Sequence, residues 1–82
     1  MNPRVKSVEP MENYQLLLHF TDGKQGLYDC KPLLNFGIFK QLQDLHYFKQ
    51  VFVIDGTVGW PNEQDIAPET LLAEMQPIPD SI

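Results

Sequence analysis

Eighty-two residues suffice for one domain and are too few for two cores, and such a chain buries only roughly 60–65% of its unfolded surface. A composition 43% hydrophobic and 11% aromatic excludes a disordered chain. The formal net charge of −5, with basic residues scattered at Arg4, Lys6, Lys24, Lys31, Lys40 and Lys49, argues against a nucleic-acid-binding face on this domain alone.

In chain order, the first half reads as a β-meander. Arg4 to Glu9 is a strand expected to end at Pro10, which lacks the N–H a strand interior needs. Met11-Glu12-Asn13 is a turn. Tyr14 to Phe20 is the strongest strand, with Tyr14, Leu16, Leu18 and Phe20 on one face and Leu17 and His19 on the other. Thr21-Asp22-Gly23-Lys24 is a hairpin signal, because Asp-Gly supplies the positive φ that such turns require. Gln25 to Cys30 returns as a third strand.

The period then changes. Lys31-Pro32-Leu33-Leu34 reads as one helical turn entered through proline, and Ile38, Phe39 and Leu42 are spaced for one side of a short helix. Asp44 is a candidate N-cap, with Leu45, Tyr47 and Phe48 expected to pack beneath it. Val51 to Ile54 is β-branched and aromatic, hence a strand; Asp55-Gly56 supplies a second hairpin turn, and Thr57 to Trp60 returns until Pro61 stops it. Pro68 opens a last helix, with Glu69 in its first turn and Leu71, Leu72 and Met75 as its apolar side. The order βββ-αα-ββ-α predicts an α+β fold, a small, mostly antiparallel sheet (meander plus hairpin) with short helices on one face. Residues 1–76 are expected to form the domain; Gln76 begins a frayed stretch, and 77–82 form a flexible tail.

A lone cysteine, Cys30, cannot form an internal disulfide, no basic and apolar leader opens the chain, and no apolar run approaches the ~20 residues that span a bilayer. A cytoplasmic protein without membrane segments is the expectation. Asp29 beside Cys30 disfavours an activated thiolate. His19 and His46 lack the neighbouring donors of a metal site, and no nucleophile elbow or phosphate-binding loop is present. No catalytic residue, metal or cofactor is expected.

One stretch looks specialised: Trp60-Pro61-Asn62-x-x-Asp65. Asn62 and Asp65 are expected to hydrogen-bond nearby backbone amides and shape the turn into the last helix. Trp60 has two readings. Its ring caps the core, which its size favours, or it lies at the sheet rim as an anchor for a partner, with Pro61, Asn62 and Asp65 around it as an interaction surface.

Arg4-Val5-Lys6-Ser7-Val8-Glu9-Pro10, Tyr14-x-Leu16-x-Leu18-x-Phe20-x-Asp22-Gly23, Phe39-x-x-Leu42-x-Asp44-x-x-Tyr47-Phe48-x-x-Val51 and Gly56-Thr57-Val58-x-Trp60-Pro61-Asn62-x-x-Asp65-Ile66-x-Pro68-x-x-Leu71 together resemble a small prokaryotic family known as domain of unknown function 2442. The resemblance spans about residues 4–75. It implies a small α+β domain, found alone or with an appended helix-turn-helix, often accompanied by another short protein in an arrangement similar to toxin–antitoxin pairs. It carries no catalytic residues. The glycine that often follows Trp-Pro-Asn in that pattern is here Glu63, which implies a loop that bends differently.

The leading expectation is therefore a non-enzymatic interaction module with a protein partner or a second copy of itself. The alternative is a small-ligand site or enzyme built on Trp60, Asn62 and Asp65, with Glu69 nearby. Direct nucleic-acid binding would need Arg4, Lys6, Lys24 and Lys31 to converge on one face.

Overall fold

A computed structural model describes residues 3–78. Strands β1 (Val5–Met11), β2 (Gln15–Phe20) and β3 (Gln25–Asp29) form an antiparallel meander in the order β1-β2-β3. Its inward face is the one the alternation predicts: Leu16, Leu18 and Phe20 are buried, and Leu17 and His19 are half-buried on the other side. Strands β4 (Phe52–Ile54), β5 (Thr57–Gly59) and β6 (Asp65–Ile66) form a second antiparallel sheet, in the order β4-β5-β6. The expected meander and hairpin both form, in separate sheets, and the hairpin gains a third strand too short to register as a sequence period. Helix α1 (Leu45–Phe48), helix α2 (Pro68–Glu74) and several 3-10 turns complete an α+β architecture.

The first strand runs past its expected end. Pro10 pairs with Leu16 inside β1. It is accommodated because β1 is an edge strand of its sheet, where one row of N–H groups needs no ladder partner. The reversal after Met11 is a 3-10 turn in which Asn13 and Tyr14 both take left-handed backbone, at φ 62° and 60°. Tyr14 is held there from two sides. Its hydroxyl donates to the Gln43 carbonyl at 2.6 Å, and its ring meets Phe48 edge-on, with centroids 5.3 Å apart.

Between the sheets, residues 31–50 form a helical cover. Lys31–Leu33 and Gly37–Gln43 are 3-10 turns, and α1 is capped by the Asp44 carboxylate, which accepts the His46 amide at 3.0 Å. Leu42, Tyr47 and Phe48 enter the core and Phe39 packs at its margin, but Ile38 and Leu45, expected inside, are exposed. Gly37–Gln43 is a 3-10 helix, so its side chains repeat every three residues; Phe39 and Leu42 stack while Ile38 turns outward. α1 is a single turn and buries only its Tyr47–Phe48 side.

The core joins both sheets and the cover: Leu16, Leu18, Phe48, Val58, Trp60 and Leu71 are all buried. Two backbone contacts tie distant parts together. The Val5 amide donates to the Gly56 carbonyl at 2.7 Å, linking the start of β1 to the turn of the β4–β5 hairpin. Leu27 and Gln76 exchange two bonds of 2.8 and 2.7 Å, so Gln76, expected to fray, is bridged to the outer edge of β3. Gly26 makes this approach possible, because a β-carbon there would lie 2.7 Å from the Gln76 carbonyl oxygen. Of the expected 77–82 tail, residues 79–82 lie outside the described residues.

Candidate functional site

The segment singled out in the sequence divides between interior and surface. Trp60 is only 1% exposed. Its ring lies 6.1 Å from that of Phe48, and its indole Nε1–H donates to the Phe48 carbonyl at 2.9 Å. Trp60 therefore belongs to the chain's own core, and the reading of it as a projecting anchor is corrected. Pro61, Asn62 and Asp65 are exposed.

Asn62 and Asp65 do not shape the helix start as expected. The cap residue of α2 is Ala67, which has no side-chain cap bond. The Asn62 side chain instead donates to Gln41 Oε1 at 2.8 Å, and Asp65 is part of β6, opposite Gly59. The organising residue of the loop is Gln64, buried to 2% exposure. Its amide nitrogen donates to the Ile38 carbonyl (2.9 Å) and to Gln41 Oε1 (3.1 Å), while its oxygen accepts the Tyr47 hydroxyl at 2.5 Å. The Tyr47 oxygen in turn accepts the Asn62 amide at 2.7 Å. Every polar atom of this buried node is paired, so the loop is pinned to the helical cover. The sequence signalled none of this, because a lone Gln between charged neighbours reads as surface.

Above this node lies a groove of about 280 Å³ lined by Phe52, Ile54, Gly59, Trp60, Glu63, Gln64 and Asp65. Strand register explains it. Phe52, Gly59 and Asp65 stand in one row across β4, β5 and β6, so the central position of the row has no side chain. A β-carbon at Gly59 would sit 3.2 Å from Ile54 Cγ2, 3.8 Å from Asp65 Cβ and 3.1 Å from the Gln64 carbonyl oxygen. Gly59 is thus the floor, with an apolar wall of Phe52 and Ile54 facing a wall bearing Asp65 and Glu63. Of the residues expected to carry an interaction surface, only Trp60 and Asp65 reach this groove, Trp60 from beneath.

The second sheet also presents an apolar strand to solvent. Phe52, Val53 and Ile54 are all exposed, at 40%, 38% and 43%; among the described residues β5 is the one ladder partner of β4, and β1 lies close beside it. The contrast with β1 is instructive. That edge strand carries a register irregularity between Val5 and Ser7, the charges Lys6 and Glu9, and Pro10, all features that discourage further strand pairing. β4 has none of them. The sequence signal was available: four consecutive apolar residues, Val51 to Ile54, in a strand with no alternation.

Cys30, Lys24 and Lys31 are each buried or paired. Cys30 is fully buried, and burial, reinforced by Asp29, pushes its thiol up to about 12. Lys24 pairs with Asp22 at 2.9 Å and Lys31 with Asp29 at 3.0 Å, which engages two of the four cations weighed for nucleic acid. Among the described residues no group of three or more His, Cys, Asp or Glu is placed to hold a metal ion, and no helix is long and apolar enough to cross a membrane.

These features define a small α+β protein of two three-stranded antiparallel sheets, in which every buried side-chain polar atom among the described residues is paired and β4 presents exposed apolar side chains. The chain belongs to the family described as protein of unknown function (DUF2442), whose model matches residues 5–77. No curated protein and no solved structure matches it.

Proposed function

We propose that this protein is a non-enzymatic interaction module, one half of a two-protein regulatory pair of the toxin–antitoxin kind, which docks its partner on β4 and the adjoining groove. The observation that carries this reading is the apolar surface of β4, where Phe52, Val53 and Ile54 are consecutive, uncharged and all exposed. A chain of this size gains proportionately from covering such a surface. The net charge of −5 favours a basic partner and faster encounter with it. The resemblance to a family whose members accompany a second short protein points the same way.

The ligand-site or enzyme alternative draws less support. The indole that was to form its wall is buried, Asn62 is engaged with Gln41, and Glu63, Asp65 and Glu69 are exposed to solvent.

Co-expression with the product of the neighbouring reading frame, followed by light scattering, tests the proposal. A mass equal to the sum of the two chains is expected, and the Phe52→Ser/Ile54→Ser double variant should remain folded and elute alone. A complex that survives this variant would place the interface elsewhere. A mass of two copies of this chain would identify the partner as itself, across a two-fold axis.

A further inference from the structure

The groove beside β4 has a chemical character of its own, and it deepens the interaction reading, on which it rests. One wall is aromatic and aliphatic, from Phe52 and Ile54. The opposite wall bears two carboxylates, Glu63 and Asp65, and no cationic residue lines the space. The floor is Gly59, where Ile54 Cγ2 and Asp65 Cβ would both be within 4 Å of any added β-carbon. The walls therefore face each other across a gap one side chain wide.

We propose that this groove takes an arginine side chain presented by a basic segment of the partner protein. Few side chains match both walls. A hydrocarbon would leave the carboxylates with an apolar neighbour, and a short cation would not span the floor. Arginine lays an aliphatic stem along Ile54 and ends in a planar fork that can bond a carboxylate through two N–H groups. Its guanidinium also stacks on an aromatic face, which the part-exposed Phe52 ring offers. Lysine shares the charge but neither the fork nor the stacking plane. The absence of a side chain at Gly59 is what keeps the path open.

The protein carries one tryptophan, Trp60, at the base of the groove, which gives a built-in reporter. The test uses the full chain, uniformly 15N-labelled, titrated with a blocked Gly-Ser-Arg-Ser-Gly peptide and with the same peptide carrying citrulline, a neutral isostere. Saturable shifts should be confined to the Gly59, Glu63, Gln64 and Asp65 amides and the Trp60 indole. The citrulline peptide should bind about tenfold more weakly or not at all, and added salt should weaken the arginine peptide. Asp65→Asn should reduce the response by a similar factor, and Gly59→Ala should abolish it. Should Gly59→Ala fail to fold, Asp65→Asn still decides, because its side chain is exposed. Equal responses to arginine and citrulline, shifts spread over the surface, or unchanged binding by Asp65→Asn would each overturn the proposal. The two readings separate cleanly. A partner complex as stable with Asp65→Asn/Glu63→Gln as with the unmodified chain refutes the arginine groove while leaving the interaction module standing. Localised arginine shifts without any partner complex support the groove and count against the module.

Discussion

Gly23 and Glu63 occupy the same place in two loops of one design. In the first, the Phe20 amide donates to the Lys24 carbonyl at 2.8 Å and the Gly23 amide to the Phe20 carbonyl at 3.0 Å. In the second, the Trp60 amide donates to the Gln64 carbonyl at 2.9 Å and the Glu63 amide to the Trp60 carbonyl at 3.0 Å. Both are three-residue hairpin loops that close on a left-handed residue, with φ 94° at Gly23 and 75° at Glu63. Glycine takes that conformation without penalty, whereas a residue with a β-carbon is disfavoured by about 1–2 kcal/mol.

Glu63→Gly should therefore stabilise the fold, by about 1 kcal/mol once the greater freedom of glycine in the unfolded chain is set against the relieved strain. Urea denaturation followed by Trp60 fluorescence measures it. A midpoint below that of the unmodified protein would mean that Glu63 gains more from its surroundings than its backbone loses.

Trp60 is the keystone of the shared core. Trp60→Phe removes the shorter of two hydrogen bonds to the Phe48 carbonyl, which keeps the Val51 amide at 3.3 Å, and opens space beside the Phe48 ring. Each effect is destabilising, and together they should cost about 2–4 kcal/mol. Thermal unfolding by circular dichroism would show the loss; a shift within error would contradict the burial described above.

Tyr47→Phe isolates the polar node from the core, because it deletes one hydroxyl and little volume. It leaves the Gln64 side-chain oxygen and the Asn62 amide without their partner. A loss of about 1–3 kcal/mol is expected, with the slope of free energy against urea unchanged. Faster amide exchange at Asn62 should accompany it.

Two buried acids set the alkaline limit of the fold. Burial raises the Cys30 thiol from 9.0 to about 12, with Asp29 adding to it, and raises the Tyr28 phenol from 10.0 to about 12, with Glu74, Cys30 and Asp29 adding to it. Both groups hold their protons more tightly when folded, so the unfolded state loses protons first as pH rises. Their contribution is fully present below pH 9.0 and lost as pH climbs toward about 12. The free energy of unfolding, measured by urea titration at a series of pH values, should fall across that window, and less steeply in Cys30→Ala. At neutral pH the thiol should resist a disulfide reagent until denaturant is added.

How much of this could be read in advance depended on how many residues carried each signal. The six-residue alternation of β2 defined its face, and Asp44 was legible as a cap because its side chain acts on the next turn of its own chain. The third strand of the second sheet was invisible. It is two residues long, and the loop leading into it carries Glu63 where a glycine would have announced the turn. Trp60 and Gln64 were hard for a shared reason: their roles lie with Phe48, Tyr47, Ile38 and Gln41, far off in sequence. The groove was equally non-local, since Gly59 becomes a floor only when Ile54 and Asp65 flank it.

The bridge between Leu27 and Gln76 has a consequence for the protein during its synthesis. The first sheet is nearly all encoded in the first third of the chain, yet the outer edge of β3 has no partner until residue 76 has left the ribosome. The meander must therefore wait with that edge bare while the rest is translated, at about 5–20 residues per second. For those few seconds the outer edge of β3 stays open, and the chain itself closes it when Gln76 arrives.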